Sequence, residues 1–166
     1  MRRFLILFPV CLAAGFALLQ TYPVAFVVAR FTSTLVGISG ALIHLFGGKA
    51  AVDGVVLASP EGFAVRVENG CNAINVTILL WSAILVYPAP WIEKLKGLAV
   101  GSAALHAINL LRIISLYYLG RYNQGWFEFA HLYLWESLIV VDTLVIFWGW
   151  AVVVRRSGFR GNAPTG

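Results

Sequence analysis

Long apolar segments separated by short polar connections follow one another along most of this 166-residue chain. A helix of about 20 apolar residues is long enough to cross the hydrocarbon core of a bilayer. Four segments approach or exceed that length, at residues 4–22, 71–88, 97–119 and 130–154. The pattern predicts a mainly α-helical, polytopic membrane protein with about four transmembrane helices. It forms one membrane-embedded domain over residues 1–157, followed by a disordered cytoplasmic tail.

A fifth apolar stretch, residues 24–46, is interrupted by polar side chains. It contains Arg30, several Ser and Thr residues and His44, and Pro23 separates it from the first span. Two interpretations are open at this point. The stretch forms an interfacial or re-entrant helix on the outer side, or it is a true fifth span.

The pattern changes to a period of two between residues 51 and 69. Residues 63–67 alternate between apolar and other side chains, and a short apolar run at 55–57 precedes them. The intervening residues 59–62 have Pro at the second and Gly at the fourth position, as type I turns do. We therefore predict a small β-hairpin at 51–69, outside the membrane because its backbone needs water or protein around it.

Composition agrees with a membrane protein and excludes a soluble or nucleic-acid-binding domain. Hydrophobic residues make up 60% of the chain and charged residues 11%, against roughly 45–50% and 25% in soluble domains. The net charge of +5 does not indicate nucleic-acid binding, because the Lys and Arg residues stand at the ends of apolar segments. No disulfide framework is implied, since Cys11 lies inside the first apolar segment, which we interpret as an uncleaved signal anchor.

The basic residues predict the topology. They cluster at residues 2–3, 94–96 and 155–156, and the positive-inside rule places all three clusters, and so both termini, on the cytoplasmic side. An even number of crossings must then separate each pair of clusters. Residues 24–46 are accordingly expected not to cross; a fifth span would put the second and third clusters outside.

Under this topology, three chemically distinctive residues fall on the outer side of three different helices. Cys71 opens its helix, where the helix dipole favours a thiolate. Arg112 lies about 10 Å below the outer end of its helix, which is costly unless it has a function, the alternative being snorkelling to the interface. His131 begins the last span. A nucleophile, a charge stabiliser and a base are the groups that acyl transfer requires.

Other polar residues have supporting or structural roles in this interpretation. Those expected to bind substrate or support the site are Glu68, Asn69, Asn72, Asn75 and Asn109. His106 and Asp142 fall at a similar depth, which predicts a buried structural contact or, alternatively, part of a proton path. The histidines are isolated, and no HExxH, paired-Cys or Gly-rich phosphate motif occurs, so no metal and no cofactor are expected.

Three motif blocks resemble those of the exosortase/archaeosortase family. They are ENGCNAI at 68–74, NLLRIIS at 109–115 and AHLYLW at 130–135. The compact size, the basic start of the first span and the WFE sequence at 126–128 are most similar to the exosortase H subtype. The resemblance covers nearly the whole chain.

The resemblance implies a membrane-embedded cysteine transpeptidase or protease. Such a thiol protease, a hydrolase, cleaves and sorts secreted proteins. Its substrates would carry a C-terminal sorting signal, composed of a short motif, a transmembrane helix and a basic end. Cys71 would be the nucleophile, Arg112 the arginine of the family and His131 the third catalytic member. The implied location is the bacterial cytoplasmic (inner) membrane, and the implied partners are these substrates and membrane lipid, and no nucleic acid.

Two alternatives belong to other function classes. The chain could be a non-enzymatic assembly or transport subunit in which Arg112 pairs within the helix bundle. It could also be an intramembrane metalloprotease that uses His106, His131 and a carboxylate.

Overall fold

A computed structural model describes residues 2–161 of the chain as six α-helices, one π-helical turn and three short strands. The helices are α1 (Arg2–Leu19), α2 (Tyr22–Leu45), α3 (Ile74–Val86), α4 (Trp91–Tyr122), α5 (Gln124–Phe129) and α6 (Trp135–Gly161), with the π-helical turn at Ala130–Leu134. The strands are β1 (Ala51–Asp53), β2 (Val56–Ala58) and β3 (Ala64–Arg66). Of the tail predicted at 158–166, the last five residues lie outside the described range, and α6 includes the others.

Three helical segments are long and apolar enough to cross a membrane. They are Tyr22–Leu45, Trp91–Tyr122 and Gln124–Arg156, the last of which joins α5, the π-helical turn and most of α6. The helices α1 and α3 are apolar but shorter. The protein is therefore a mainly helical, polytopic membrane protein as predicted, and the count of about four spans stays a prediction.

Two segments differ from their predicted form. Residues 24–46, expected not to cross, lie in α2, a continuous 24-residue helix whose length and composition also suit a span. The predicted span 71–88 contains only the 13-residue α3, which is about 20 Å long. Its helix begins late because Ala73 has a left-handed backbone, and it ends early because Tyr87, before Pro88, is extended.

The three strands form an antiparallel sheet in the order β1-β2-β3. The predicted turn at residues 59–62 is present, since the Gly62 N–H donates to the Ser59 carbonyl at 3.1 Å. The prediction of a two-stranded hairpin at 51–69 is incomplete, however, because the structure has β1 as a third strand. A two-residue turn makes this possible, in which Gly54 has a φ of +57°.

Two apolar clusters hold the helices and the sheet together. The first joins α2, the sheet and α4, and its buried residues are Val36, Ile43, Ala50, Leu57, Val67, Ile113 and Tyr117. The second joins α3, α4 and α6 around Leu80, Ile84 and Leu105. The first cluster positions the sheet against the C-terminal half of α4, next to the loop that carries Cys71, and we call this end of the molecule the site end.

Candidate active site

Cys71, Arg112 and His131 meet at the site end of the molecule. The Cys71 Sγ atom lies 4.0 Å from Nδ1 of His131 and 3.8 Å from Nη2 of Arg112. Three separate elements supply these side chains: the loop before α3, the middle of α4 and the π-helical turn before α6. We expected from the sequence that these three side chains lie together, and the distances agree with that expectation.

The loop before α3 holds Cys71 outside the helix, which corrects the expectation that Cys71 opens it. The Cys71 N–H donates to the Glu68 carbonyl at 2.9 Å, and α3 begins only at Ile74. The Ile74 N–H donates to the Asn72 side-chain oxygen at 3.1 Å. The first N–H of α3 is thus taken by Asn72 and does not point at the thiol.

The thiol of Cys71 is consequently not activated in the way the sequence suggested. Burial raises the pKa of the Cys71 thiol above its ordinary value, and this outweighs the opposite effect of the nearby Arg112 guanidinium. The Glu136 carboxylate adds to the increase. Cys71 is therefore a protonated thiol at neutral pH and needs a base before it can act as a nucleophile.

Arg112 is almost completely buried, with 2% of its surface exposed. Its Nη2 points at Cys71, and its Nε atom has no hydrogen-bond partner in the described part of the chain. Asn109, one helical turn earlier, is fully buried, and both polar atoms of its amide are likewise unpartnered among the described residues. Buried polar atoms without partners are costly, so Asn109 and Arg112 retain unused hydrogen-bonding capacity inside the helix bundle.

His131 lies in the π-helical turn and stacks on Phe127, with the two ring centroids 5.6 Å apart. The Trp135 N–H donates to the Ala130 carbonyl, five residues earlier. Single π-helical turns inside helices are frequent at functional sites. The stacking on Phe127 keeps the imidazole ring directed toward the thiol.

Cys71 and His131 line a cavity of about 160 Å³, and Arg112 reaches it only through its contact with the Cys71 thiol. Residues 64–67 of the sheet form one wall, and Ile113 and Leu116 of α4 form the opposite side. We call this cavity the site cleft. Its walls are largely apolar, so a substrate carbonyl bound there would be partly shielded from water.

The asparagines near Cys71 divide into buried and exposed residues. Asn72 is fully buried, and its amide donates to the Thr32 hydroxyl at 3.0 Å and to the Asn69 side chain at 3.3 Å. Asn72 thereby ties the Cys71 loop to α2. Asn75 is exposed and lines a second cavity with Asn69 and Asn72, between α1, α2 and α3. Glu68 is also exposed, and its contact with Cys71 is through its backbone carbonyl.

The expected contact between His106 and Asp142 is wrong. The His106 ring packs edge-on against Phe31 of α2, with centroids 4.8 Å apart, and its Nδ1 atom has no partner among the described residues. The similar depth of His106 and Asp142 along antiparallel helices does not bring their side chains together, because the His106 ring faces α2. The contact of α4 with α6 uses Gly97 instead, which lies against Trp150.

One feature of the site was missed by sequence reasoning: the Glu136 carboxylate, which helps to raise the pKa of the Cys71 thiol. In a regular α-helix, residues 131 and 136 would point about 140° apart, whereas the additional residue in the π-helical turn brings them toward one side. The cleft wall formed by β3 comes from the strand that the alternation at 63–67 predicted.

No group of three or more His, Cys, Asp or Glu side chains within residues 2–161 is arranged to hold a metal ion. The metalloprotease alternative therefore finds no ligand set around His106 or His131 in that range.

A family model described as transmembrane exosortase (Exosortase_EpsH) matches residues 2–154, and this confirms the resemblance indicated by the three motif blocks. No curated protein and no solved structure gives a significant match to the chain.

Proposed function

Because the chain belongs to the transmembrane exosortase family, we propose that it is a membrane-embedded cysteine transpeptidase or protease that uses Cys71, Arg112 and His131. The family acts on secreted proteins with C-terminal sorting signals. The substrate of this chain would accordingly be a secreted protein with a short motif, a transmembrane helix and a basic end.

One observation carries the proposal. A half-buried thiol lies within 4.0 Å of an imidazole nitrogen and within 3.8 Å of a buried guanidinium. These distances are long for hydrogen bonds, but catalytic contacts often tighten only when the substrate is bound. A buried arginine in a membrane protein normally serves a function, because its burial is costly.

The first half of the reaction would form a thioester. The Nδ1 atom of His131 accepts the Cys71 proton, and the thiolate attacks the carbonyl carbon of the scissile peptide bond. The negative charge that develops on the carbonyl oxygen is stabilised by the Arg112 guanidinium. The C–N bond then breaks, the protonated His131 transfers its proton to the leaving amine, and the substrate's transmembrane helix leaves with that amine.

The second half would release the product. Neutral His131 accepts a proton from water or from an incoming amine, which attacks the thioester carbonyl and forms a second tetrahedral species. Its collapse breaks the C–S bond and returns the thiolate, which recovers its proton from His131. Hydrolysis and transfer to an acceptor differ only in which nucleophile enters at this step.

The test is processing of a substrate in cells. The protein is expressed with a secreted protein from the same genome that ends in a motif, a transmembrane helix and a basic tail, and cleavage is followed by a shift in mass. Cys71→Ala, Arg112→Ala and His131→Ala should each abolish processing at normal protein levels. Cys11→Ala is the matched control, since Cys11 lies in α1, and it should process normally.

The thioester itself should be detectable as a hydroxylamine-sensitive adduct of the wild-type protein, absent from Cys71→Ala. Processing that survives Cys71→Ala would refute the cysteine mechanism. Loss of the protein in Arg112→Ala, with normal processing in Cys71→Ala, would instead support a non-enzymatic subunit in which the arginine pairs within the bundle.

A further inference from the structure

The strand β3 has a free edge. It pairs with β2 on one side only, because it is the last strand of the sheet. The Ser59 N–H donates to the Phe63 carbonyl at 2.7 Å, and the Val67 N–H donates to the Val55 carbonyl at 2.9 Å. Hydrogen-bonded pairs alternate along an antiparallel ladder. The N–H and C=O groups of Ala64 and Arg66 therefore point away from β2, toward the free edge.

These outward-facing groups are accessible. Ala64 and Arg66 are both exposed, and no hydrogen bond from another described residue reaches their backbone on this side. Natural sheets normally protect an exposed edge with proline, a bulge or a covering element, because an open edge pairs with other strands. In the described part of this chain, β3 contains no proline, its register with β2 has no bulge, and no further strand pairs with its edge.

The free edge borders the site cleft. Residues 64–67 line the cleft together with Cys71 and His131. The start of β3 is held in place by Phe63, the residue before the strand. Phe63 lies against Gly120 of α4 and packs edge-on against Phe127. The Glu61 carboxylate, in the turn before β3, accepts two hydrogen bonds of 2.7 Å from Arg121. The edge is thus a fixed wall beside the thiol.

We propose that the substrate segment carrying the scissile bond binds as an added strand along the free edge of β3. Its backbone would pair with the outward N–H and C=O groups of Ala64 and Arg66, and its scissile carbonyl would lie at Cys71. Strand addition is an established way for an extended peptide to bind a sheet edge. The inference rests on the proposed function and specifies how that function recognises its substrate.

Pairing with this edge would determine the backbone conformation of the bound segment and the directions in which its side chains point. Successive side chains of a strand point to opposite faces. Every second substrate side chain would point the same way as Val65, toward Ile113 of α4. The others would share the exposed face of Ala64 and Arg66. An extended linker fits this edge, whereas the helix that follows it in the substrate does not, because helical backbone groups bond to one another.

The substrate fits this edge better than a second copy of the chain does. The edge is continuous with the cleft that holds Cys71, so its occupant is delivered directly to the thiol. A second copy bound there would cover the cleft. The substrate is therefore the occupant to which the geometry points, and a second copy is an outcome that the experiment can detect.

Disulfide cross-linking tests the proposal with single cysteines. The enzyme carries Cys11→Ser and Cys71→Ala, which remove both native thiols and trap the bound substrate, together with Ala64→Cys. The probe is the secreted protein processed by the wild-type enzyme, with one cysteine placed in turn at each position before its transmembrane helix. Oxidised membranes are then examined for an enzyme–substrate adduct.

Strand addition predicts adducts at alternate substrate positions, since directly opposed Cβ atoms on paired strands are about 4.5–5.5 Å apart and neighbours point to the other face. Replacing Ala64→Cys with Arg66→Cys should shift the strongest adduct by two substrate positions. The direction of the shift reports whether the added strand is parallel or antiparallel. The matched control is Ala51→Cys, an exposed alanine in β1 at the opposite edge, which should give no alternating pattern.

Three results would overturn the inference: adducts at every position, adducts spaced by three or four residues, or an equal pattern from Ala51→Cys. An enzyme–enzyme adduct of Ala64→Cys in place of the substrate adduct would assign the edge to a second copy. The wild-type enzyme is assayed for processing in the same cells. If the substrate is processed but the adducts do not alternate along it, strand addition is refuted and the proposed function is not. If neither processing nor adducts are observed, the proposed function is refuted as well.

Discussion

The thiol of Cys71 lies between groups with opposite effects on its ionisation. Burial raises the pKa of the thiol, Arg112 lowers it by less, and Glu136 raises it further. A thiol in this state is protected from adventitious oxidation and alkylation, since the thiolate is the reactive form. The proposed role of His131 is to generate the thiolate only when a substrate occupies the cleft.

The pH dependence of Cys71 alkylation tests this balance. Because only the thiolate reacts with iodoacetamide, the rate rises with pH through the pKa of the thiol. In a Cys11→Ser background without substrate, we expect a midpoint above the value of about 8.5 typical of free cysteine. Arg112→Gln should move the midpoint further to alkaline pH, and Glu136→Gln should move it toward acid pH. The rate is measured by mass spectrometry between pH 6 and about 10.5, a range that brackets that free-thiol value.

Glu128→Gln is the matched control for Glu136→Gln, because Glu128 is an exposed carboxylate that does not contribute to the pKa shift of Cys71. It should leave the midpoint unchanged. A rate that is already maximal at pH 7 would mean that a thiolate pairs with Arg112 or His131 in the resting protein, which contradicts the ionisation state derived from burial.

At the level of elements, the π-helical turn sets the direction of His131 relative to α6. A π-helical turn corresponds to one residue more than a regular α-helix would contain. Deletion of Leu132, which is 56% exposed, should convert the turn to α-helix and rotate the residues before it by about 100° relative to α6. We expect processing to be lost while the protein still folds, which is checked by size-exclusion chromatography and thermal melting in detergent.

Leu132→Ala controls for loss of the side chain and should retain processing, because the leucine faces outward. Full activity of the deletion variant would show that the placement of His131 does not depend on the π-helical turn.

The contact between α4 and the sheet gives a second prediction at this scale. A Cβ atom on Gly120 would lie 1.9 Å from the Phe63 ring, so Gly120→Ala must displace Phe63 and the start of β3. Overpacking of this kind costs about 1–3 kcal/mol. We expect a lower melting temperature and reduced processing, because β3 forms a wall of the site cleft.

Gly149→Ala is the matched control, since nothing lies within 4 Å of a Cβ atom at that position in α6. It should leave processing unchanged and should stabilise its helix by up to about 1 kcal/mol. Unchanged melting and processing in Gly120→Ala would mean that β3 is not held by this contact.

The proximity of the three candidate site residues could be predicted from the sequence better than the elements around them. Cys71, Arg112 and His131 stand out because so few polar residues interrupt the apolar segments. The late start of α3 and the π-helical turn could not be read from the pattern, since both depend on local backbone choices at Ala73 and at residues 130–134. The direction of the His106 side chain could not be predicted either, because depth along a helix does not determine which neighbouring helix a side chain faces.

At the scale of the whole molecule, the basic clusters lie at the end opposite the site. Lys94 and Lys96 lie in the first turns of α4, about 24–27 Å before Arg112, and residues 155–156 lie near the end of α6. The positive-inside rule predicts that the site end faces outward. If the N-terminus is cytoplasmic, as the same rule predicts, an odd number of crossings precedes α3, and only one of α1 and α2 crosses the membrane.

Side-chain contacts favour α1 as the helix that crosses. Gly15 of α1 lies against Ile78 of α3, and Leu19 and Gln20 line a cavity with Asn72. The end of α1 is therefore at the site end, beside the start of α3. Six residues after Gly15 correspond to about 9 Å of helix, which places Thr21 near the level of the Cys71 loop.

Labelling of Thr21→Cys decides between α1 and α2. In a background with Cys11→Ser and Cys71→Ala, an impermeant maleimide should label Thr21→Cys in intact cells after the outer membrane is opened. Gln124→Cys, at the start of α5, is the matched control for the site end, and Leu95→Cys, near the start of α4, is the control for the opposite end. Thr21→Cys should behave like Gln124→Cys, because the connection between α1 and α2 lies at the site end. If Thr21→Cys is instead labelled only when the inner membrane is permeabilised, as expected for Leu95→Cys, then α2 is the crossing helix and residues 24–46 form a span.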